Sequence, residues 1–136
     1  MTRTDRAEPG LRRQAELRRQ RRAAFRFGLS AESRAAVLLR LQGFRVVARR
    51  WRGPIGEIDI VARRGGILAF VEVKARGDYD KAGFSLYARQ FGRVARAASM
   101  FLAHHPRYAA HSVRFDAILV VGWWPRHLPD VWRPPE

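Results

Sequence analysis

The sequence predicts an α/β fold, and three observations predict it. Two amphipathic helical patterns occur, over 31–42 and 86–103. Short runs rich in Ile, Val and Phe, bounded by Gly and Pro, lie between and after them. At 136 residues the chain is long enough for one hydrophobic core and not for two.

The elements follow in order. Residues 1–27 hold nine Arg against Asp5, Glu8 and Glu16, with few large apolar residues, and read as a basic, flexible arm or a frayed helix. Order is expected from Gly28, giving a domain over 28–122. Ser30 is a fitting N-cap, Ala35, Ala36 and Leu39 share one stripe, and Gly43 can end the helix as its C′ residue with Phe44 packed behind it. Phe44 to Trp51 reads as a strand. Ile55 to Arg63 and Ile67 to Lys74 read as a hairpin closed at Gly65-Gly66. Arg76 to Ser85, with Gly77 and Gly83, reads as a mobile polar loop. Leu86 to Ala103 is the second helix and Val113 to Val121 the last strand, leaving 123–136 as a Trp- and Pro-rich tail whose rings either stack on bases or, the favoured reading, cap the core.

The hairpin carries the chemistry. A two-residue turn sets Arg64 opposite Ile67 and Val61 opposite Phe70, and the same register sets Asp59 opposite Glu72 and Glu57 opposite Lys74. Side chains alternate faces along a strand, so these four charged groups share a face, with opposed Cβ atoms roughly 5 Å apart. Like charges opposed across a ladder destabilise it, and a divalent cation between Asp59 and Glu72 removes the repulsion. Two hard oxygen donors suit Mg²⁺ or Mn²⁺, which keep waters for a substrate phosphate to displace. A charged, half-solvated sheet face with a Glu57–Lys74 ion pair is the alternative. Lys74 weighs against it. Of the 27 basic residues only Lys74 and Lys81 are lysines, and a compact amine can hold or deprotonate water where a guanidinium cannot. Glu32 falls on the inward stripe of the first helix, either as a site residue or as a first-turn carboxylate answering the helix dipole.

Composition bounds the partners. The net charge of +15 favours polyanions, nucleic acid first among them. No apolar run approaches the length of a membrane span, and an anionic membrane surface would require bulkier apolar residues than the arm offers. The absence of Cys excludes disulfides and thiolate chemistry and permits a cytoplasmic location. His104, His105, His111 and His127 lack ligand spacing and read as surface or structural residues. There is no Gly-rich phosphate loop and no nucleophile elbow.

A helix Glu, a strand Asp, then Glu-x-Lys on the next strand resembles the PD-(D/E)XK nuclease superfamily, which holds restriction endonucleases and Holliday-junction resolvases. Gly28-x-x-Ala31-Glu32, Gly56-Glu57-Ile58-Asp59-Ile60, Phe70-Val71-Glu72-Val73-Lys74-Ala75-Arg76 and Arg114-Phe115-Asp116 further resemble the YraN family of bacterial proteins. The likeness covers about Gly28 to Val121. It implies a restriction-endonuclease-like fold, a mixed central sheet flanked by helices, and Mg²⁺- or Mn²⁺-dependent endonuclease activity on DNA, branched or processed. By position, Glu32, Asp59 and Glu72 would hold the metal, the Val73 carbonyl would add a ligand, and Lys74 would orient or activate water. Arg52, Arg76, Gln90 and Arg93 would contact nucleic acid; many members of the family carry Lys where Gln90 falls, and other nucleases of the superfamily use Gln in that helix. The rival expectation is a non-catalytic nucleic-acid-binding protein that keeps the scaffold.

Overall fold

A five-stranded mixed sheet, in the order β1-β2-β3-β4-β5, is the frame on which every candidate residue hangs. The structure is a computed structural model and describes residues 12–15, 31–75, 78–122 and 124–135. Ala31–Glu136 forms one compact unit. In the preceding unit residues 12–15 form a helical turn with exposed side chains, and the rest of the expected arm, with Gly28 and Ser30, lies outside the described residues.

Helix α1 (31–41) ends as its sequence dictates. Phe44 N–H donates to the Leu39 carbonyl at 2.9 Å and Gly43 N–H to that of Arg40 at 3.0 Å, a Schellman closure that needs the φ of +90° at Gly43. Strands β1 (Arg45–Arg52), β2 (Glu57–Arg64) and β3 (Ile67–Ala75) form an antiparallel meander. Between β1 and β2, Gly53 lies where a Cβ would come within 2.9 Å of the Trp51 ring. The β2–β3 turn is the expected one, with Arg64 paired to Ile67 and Val61 to Phe70.

Helix α2 (Asp78–His104) crosses from β3 to the parallel strand β4 (Ser112–Val121). It overturns the expected loop over 78–85, since the backbone is helical from Asp78; Arg76 and Gly77 lie outside the described residues. Asp78, Asp80 and Gly83 are weak helix formers, but adding turns to an existing helix is far less costly than nucleating one. The tail departs further from expectation. Trp124–Trp132 is strand β5, antiparallel to β4. Pro125 and Pro129 argue against a central strand, and β5 lies at the sheet edge, where a missing N–H is tolerated. Of the tail rings, Trp132 does pack on the core, stacked on Phe91 at 5.8 Å and edge-on to Phe115 at 5.3 Å, whereas Trp124 is exposed.

The sheet is covered on both faces. Ala31, Ala35, Ala36 and Leu39 of α1 pack on Ile60, Ala62, Ala69, Val71, Ile118 and Val120. Phe91, Val94, Ala97 and Phe101 of α2 pack on Ile58, Val61, Leu68, Phe70 and Phe115. Each large apolar side chain buried this way contributes roughly 1.5–3 kcal/mol. Along β3, Leu68 and Phe70 face α2 while Ala69 and Val71 face α1, so alternation carries Glu72 and Lys74 to the α2 side. No helix among the described residues is long and apolar enough to cross a membrane.

Candidate active site

The site forms where β2 and β3 stop pairing. Their ladder runs from Arg64–Ile67 to Ile60–Val71, and beyond it the Val73 N–H donates to Asp59 Oδ2 at 2.8 Å. A side chain has taken over the role of a ladder carbonyl. Ile58 and Ile60, which strict alternation would put on one face, belong to cores on opposite faces, so β2 changes face at Asp59. Nearby on β1, Arg50 has a φ of +50°, a backbone irregularity beside the one in β2.

Asp59 and Glu72 are brought together, as expected. Burial raises Asp59 to about 7, the Glu72 charge adds to it, and the Val73 N–H and Lys74 oppose it. Glu72, only 7% exposed, is also raised by burial, against the pull of Lys74. Two desolvated carboxyl groups of this kind bind protons, or a cation in their place. Glu72 Oε1 accepts from Gln90 Nε2 on α2 at 2.9 Å and lies 3.1 Å from Lys74 Nζ. Thus Gln90 and Lys74 converge on one carboxylate from different elements.

Other expected residues fall elsewhere. The Glu57–Lys74 pairing is not formed: Glu57 is opposite Arg52 on β1 and ion-paired to it at 3.5 Å, with both side chains exposed. Glu32 is buried, and its oxygens accept from Arg49 Nε at 3.1 Å and Arg50 Nε at 2.9 Å. Its charge still reaches Asp59, whose pKa it raises slightly. Among the described residues no three Asp, Glu or His side chains are grouped to hold a metal together. The donor set that fits one is the Asp59–Glu72 pair: Mg²⁺ is commonly held by one or two carboxylates, with waters and phosphate oxygens completing its shell. Val73, through its N–H on Asp59, brings its backbone to the same place. Arg93 lies exposed on α2, its backbone carbonyl facing Gly56, and Arg76 is outside the described residues.

One buried charge cluster was not foreseen from sequence. Asp116 on β4 is fully buried and takes two hydrogen bonds from Arg114 at 2.8 Å, one from His127 Nε2 at 2.7 Å and one from the Asp130 N–H at 2.9 Å. Its pKa stays low: burial pushes it up, and the His127, Arg114 and Asp130 hydrogen bonds more than offset that. His127 is structural rather than superficial, bridging Asp116 and Gln42 Oε1. The signal available was Arg114 and Asp116 at i and i+2, on one face of a strand.

Fold and site together define a small mixed α/β protein whose central sheet presents a buried carboxyl pair beside a lysine. The chain belongs to the uncharacterised protein family UPF0102, whose family model matches residues 31–120. It is 56% identical over 113 residues to a UPF0102 protein of Parvibaculum lavamentivorans, covering 82% of this chain and 85% of that one. It is 48% identical over 133 residues to a UPF0102 protein of Rhodopseudomonas palustris, covering 97% of each. A UPF0102 protein of Bradyrhizobium diazoefficiens is 53% identical over 110 residues, 81% of this chain and 80% of that one.

Proposed function

We propose that the protein is a cytoplasmic, Mg²⁺- or Mn²⁺-dependent endonuclease acting on DNA, branched or processed DNA above all. The observation that carries the reading is the desolvated Asp59–Glu72 pair with the Lys74 ammonium 3.1 Å from Glu72. Asp59 and Glu72, with the Val73 carbonyl, would hold the metal, which when bound polarises the scissile phosphate and lowers the pKa of the attacking water.

The chain's own groups supply the rest. The Val73 N–H fixes one oxygen of Asp59, and Gln90 fixes one oxygen of Glu72, so neither carboxylate has to be ordered when substrate arrives. Lys74 Nζ offers donors to a phosphate oxygen and to the incoming water while its charge keeps Glu72 from binding a proton too tightly. Arg52 and Arg93, exposed on β1 and α2, supply phosphate contacts at the rim, and Arg76 would extend them.

The rival reading is a nucleic-acid-binding protein without catalysis on a nuclease-like scaffold, and the pairing of Glu32 with Arg49 and Arg50 favours it. The two are separated by incubating the protein with linear, flapped and four-way DNA and with RNA, in Mg²⁺, in Mn²⁺ and in chelator. Metal-dependent cleavage of DNA is the expected result. Binding without cleavage on every substrate and metal would overturn the catalytic reading and leave the scaffold.

A further inference from the structure

At the open end of the β1–β2 ladder, Arg45 and Arg63 are direct partners. Like charges opposed in this way repel, and neither guanidinium has a carboxylate in ion-pair reach among the described residues. The chain brings a third. After α2, the 3-10 turn Pro106–Tyr108 carries Arg107, whose guanidinium lies 4.9 Å from the Tyr108 ring centre. Arg45, Arg63, Arg107, Tyr108 and His111 line a cavity of about 420 Å³, with no acidic side chain among the described residues of its wall. His111 contributes its ring to the same wall, with Nδ1 buried behind it and no hydrogen-bond partner for that atom among the described residues. A ladder pair of cations beside a third is a cost that an anion with several acceptor oxygens removes.

We propose that Arg45, Arg63, Arg107 and His111 form a phosphate-binding subsite. A phosphate offers several acceptor oxygens and at least one negative charge, matching guanidinium forks and an imidazole N–H in geometry and in sign. Its source is a nucleic acid, through an internal diester or a terminal phosphomonoester; this rests on the nucleic-acid part of the proposed function and not on cleavage. Arg63 is four residues from Asp59 along β2, about 13 Å at the rise of a strand. That is about four nucleotide steps of duplex at 3.4 Å per step, which would set the subsite at a fixed offset from the carboxylates.

Inorganic phosphate tests the site directly. It is titrated against chloride at constant ionic strength into the full chain, into Arg63→Gln and into Arg40→Gln, an exposed control on α1. Wild type and Arg40→Gln should gain about 4 °C in melting temperature at ten times the Kd. Arg63→Gln should weaken phosphate binding at least tenfold, yet melt no lower than wild type in chloride, because the repulsion with Arg45 is gone. Equal phosphate shifts in wild type and Arg63→Gln would overturn the subsite. So would an Arg63→Gln protein that melts lower in chloride and keeps its phosphate affinity. Oligonucleotides with and without a 5′-phosphate then identify the source. Affinity lost by Arg63→Gln for both assigns the diester, and loss confined to the phosphorylated strand assigns the terminal monoester. Loss for neither overturns the nucleic-acid source. No cleavage is measured, so the subsite stands or falls separately from the endonuclease reading.

Discussion

Asp59 and Lys74 separate the properties that a substitution at the site can test. A carboxyl whose folded pKa lies above its unfolded value near 4 binds protons more readily in the folded chain. The stabilisation from Asp59 is therefore complete below about 4 and is lost as pH rises through about 7, with Glu72 acting in the same direction. In chelator, the melting temperature should fall between pH 5.5 and 8.5. Asp59→Asn should flatten that fall and raise the melting temperature at pH 8.5 by about 5 °C; an unaltered pH profile would show that Asp59 is not the strained group. Lys74→Arg keeps the charge that attracts phosphate but replaces a compact amine by a longer plane that does not deprotonate. Binding of DNA should stay within a fewfold while metal-dependent cleavage falls by about two orders of magnitude, since misplacing a reacting group by about 1 Å costs that much. Cleavage that survives Lys74→Arg would remove the lysine from the mechanism.

Among the elements, β5 is held by chemistry the sequence hid. The β4–β5 register slips between Phe115 and Ala117, and Asp116 faces the slip, with its Oδ1 accepting the Asp130 N–H. Asp130 has a φ of +53°, a turn of the backbone that the Asp116 carboxylate holds in place. Removing the carboxylate strands Arg114 and His127 as well. Asp116→Ala should cost about 3–5 kcal/mol, read as a drop in the midpoint of urea unfolding, and a loss below about 1 kcal/mol would mean that β5 docks through Trp132 alone. The pH dependence has the opposite sign to that of Asp59: this stabilisation is present above about 4 and lost as pH falls further, because the Asp116 pKa is lowered.

The same element shows what sequence could and could not convey. Local rules sufficed for the Gly43 helix stop, the Arg64–Ile67 turn and the β3 alternation, since each depends on residues a few positions apart. They therefore also placed Asp59 near Glu72 and Lys74. What escaped them was set by distant partners: the edge position that tolerates two prolines in β5, the break in pairing at Asp59, and the two arginines of β1 that face Glu32.

At the scale of the whole molecule the excess of Arg is the property that most needs a partner. Net charge of +15 on 136 residues opposes compaction, and most of the ion pairs among the described residues have at least one exposed partner, where solvent screens the attraction. Residues 1–27, with nine Arg, add to the field without adding much that could be buried. A polyanion is what such a distribution binds, and the binding leaves a measurable trace. Each phosphate neutralised on duplex DNA releases counterions, so log affinity falls with log salt by about 0.9 per contact. Deleting 1–27 should flatten that slope by about 0.9 for every contact the arm makes, while Arg52, Arg93 and the Arg45–Arg63 end of the sheet keep the truncated chain bound at low salt. The measurement is a salt series of duplex affinities for the full and truncated chains. Parallel lines would show that residues 1–27 touch no phosphate and that the rest of the chain carries the interaction.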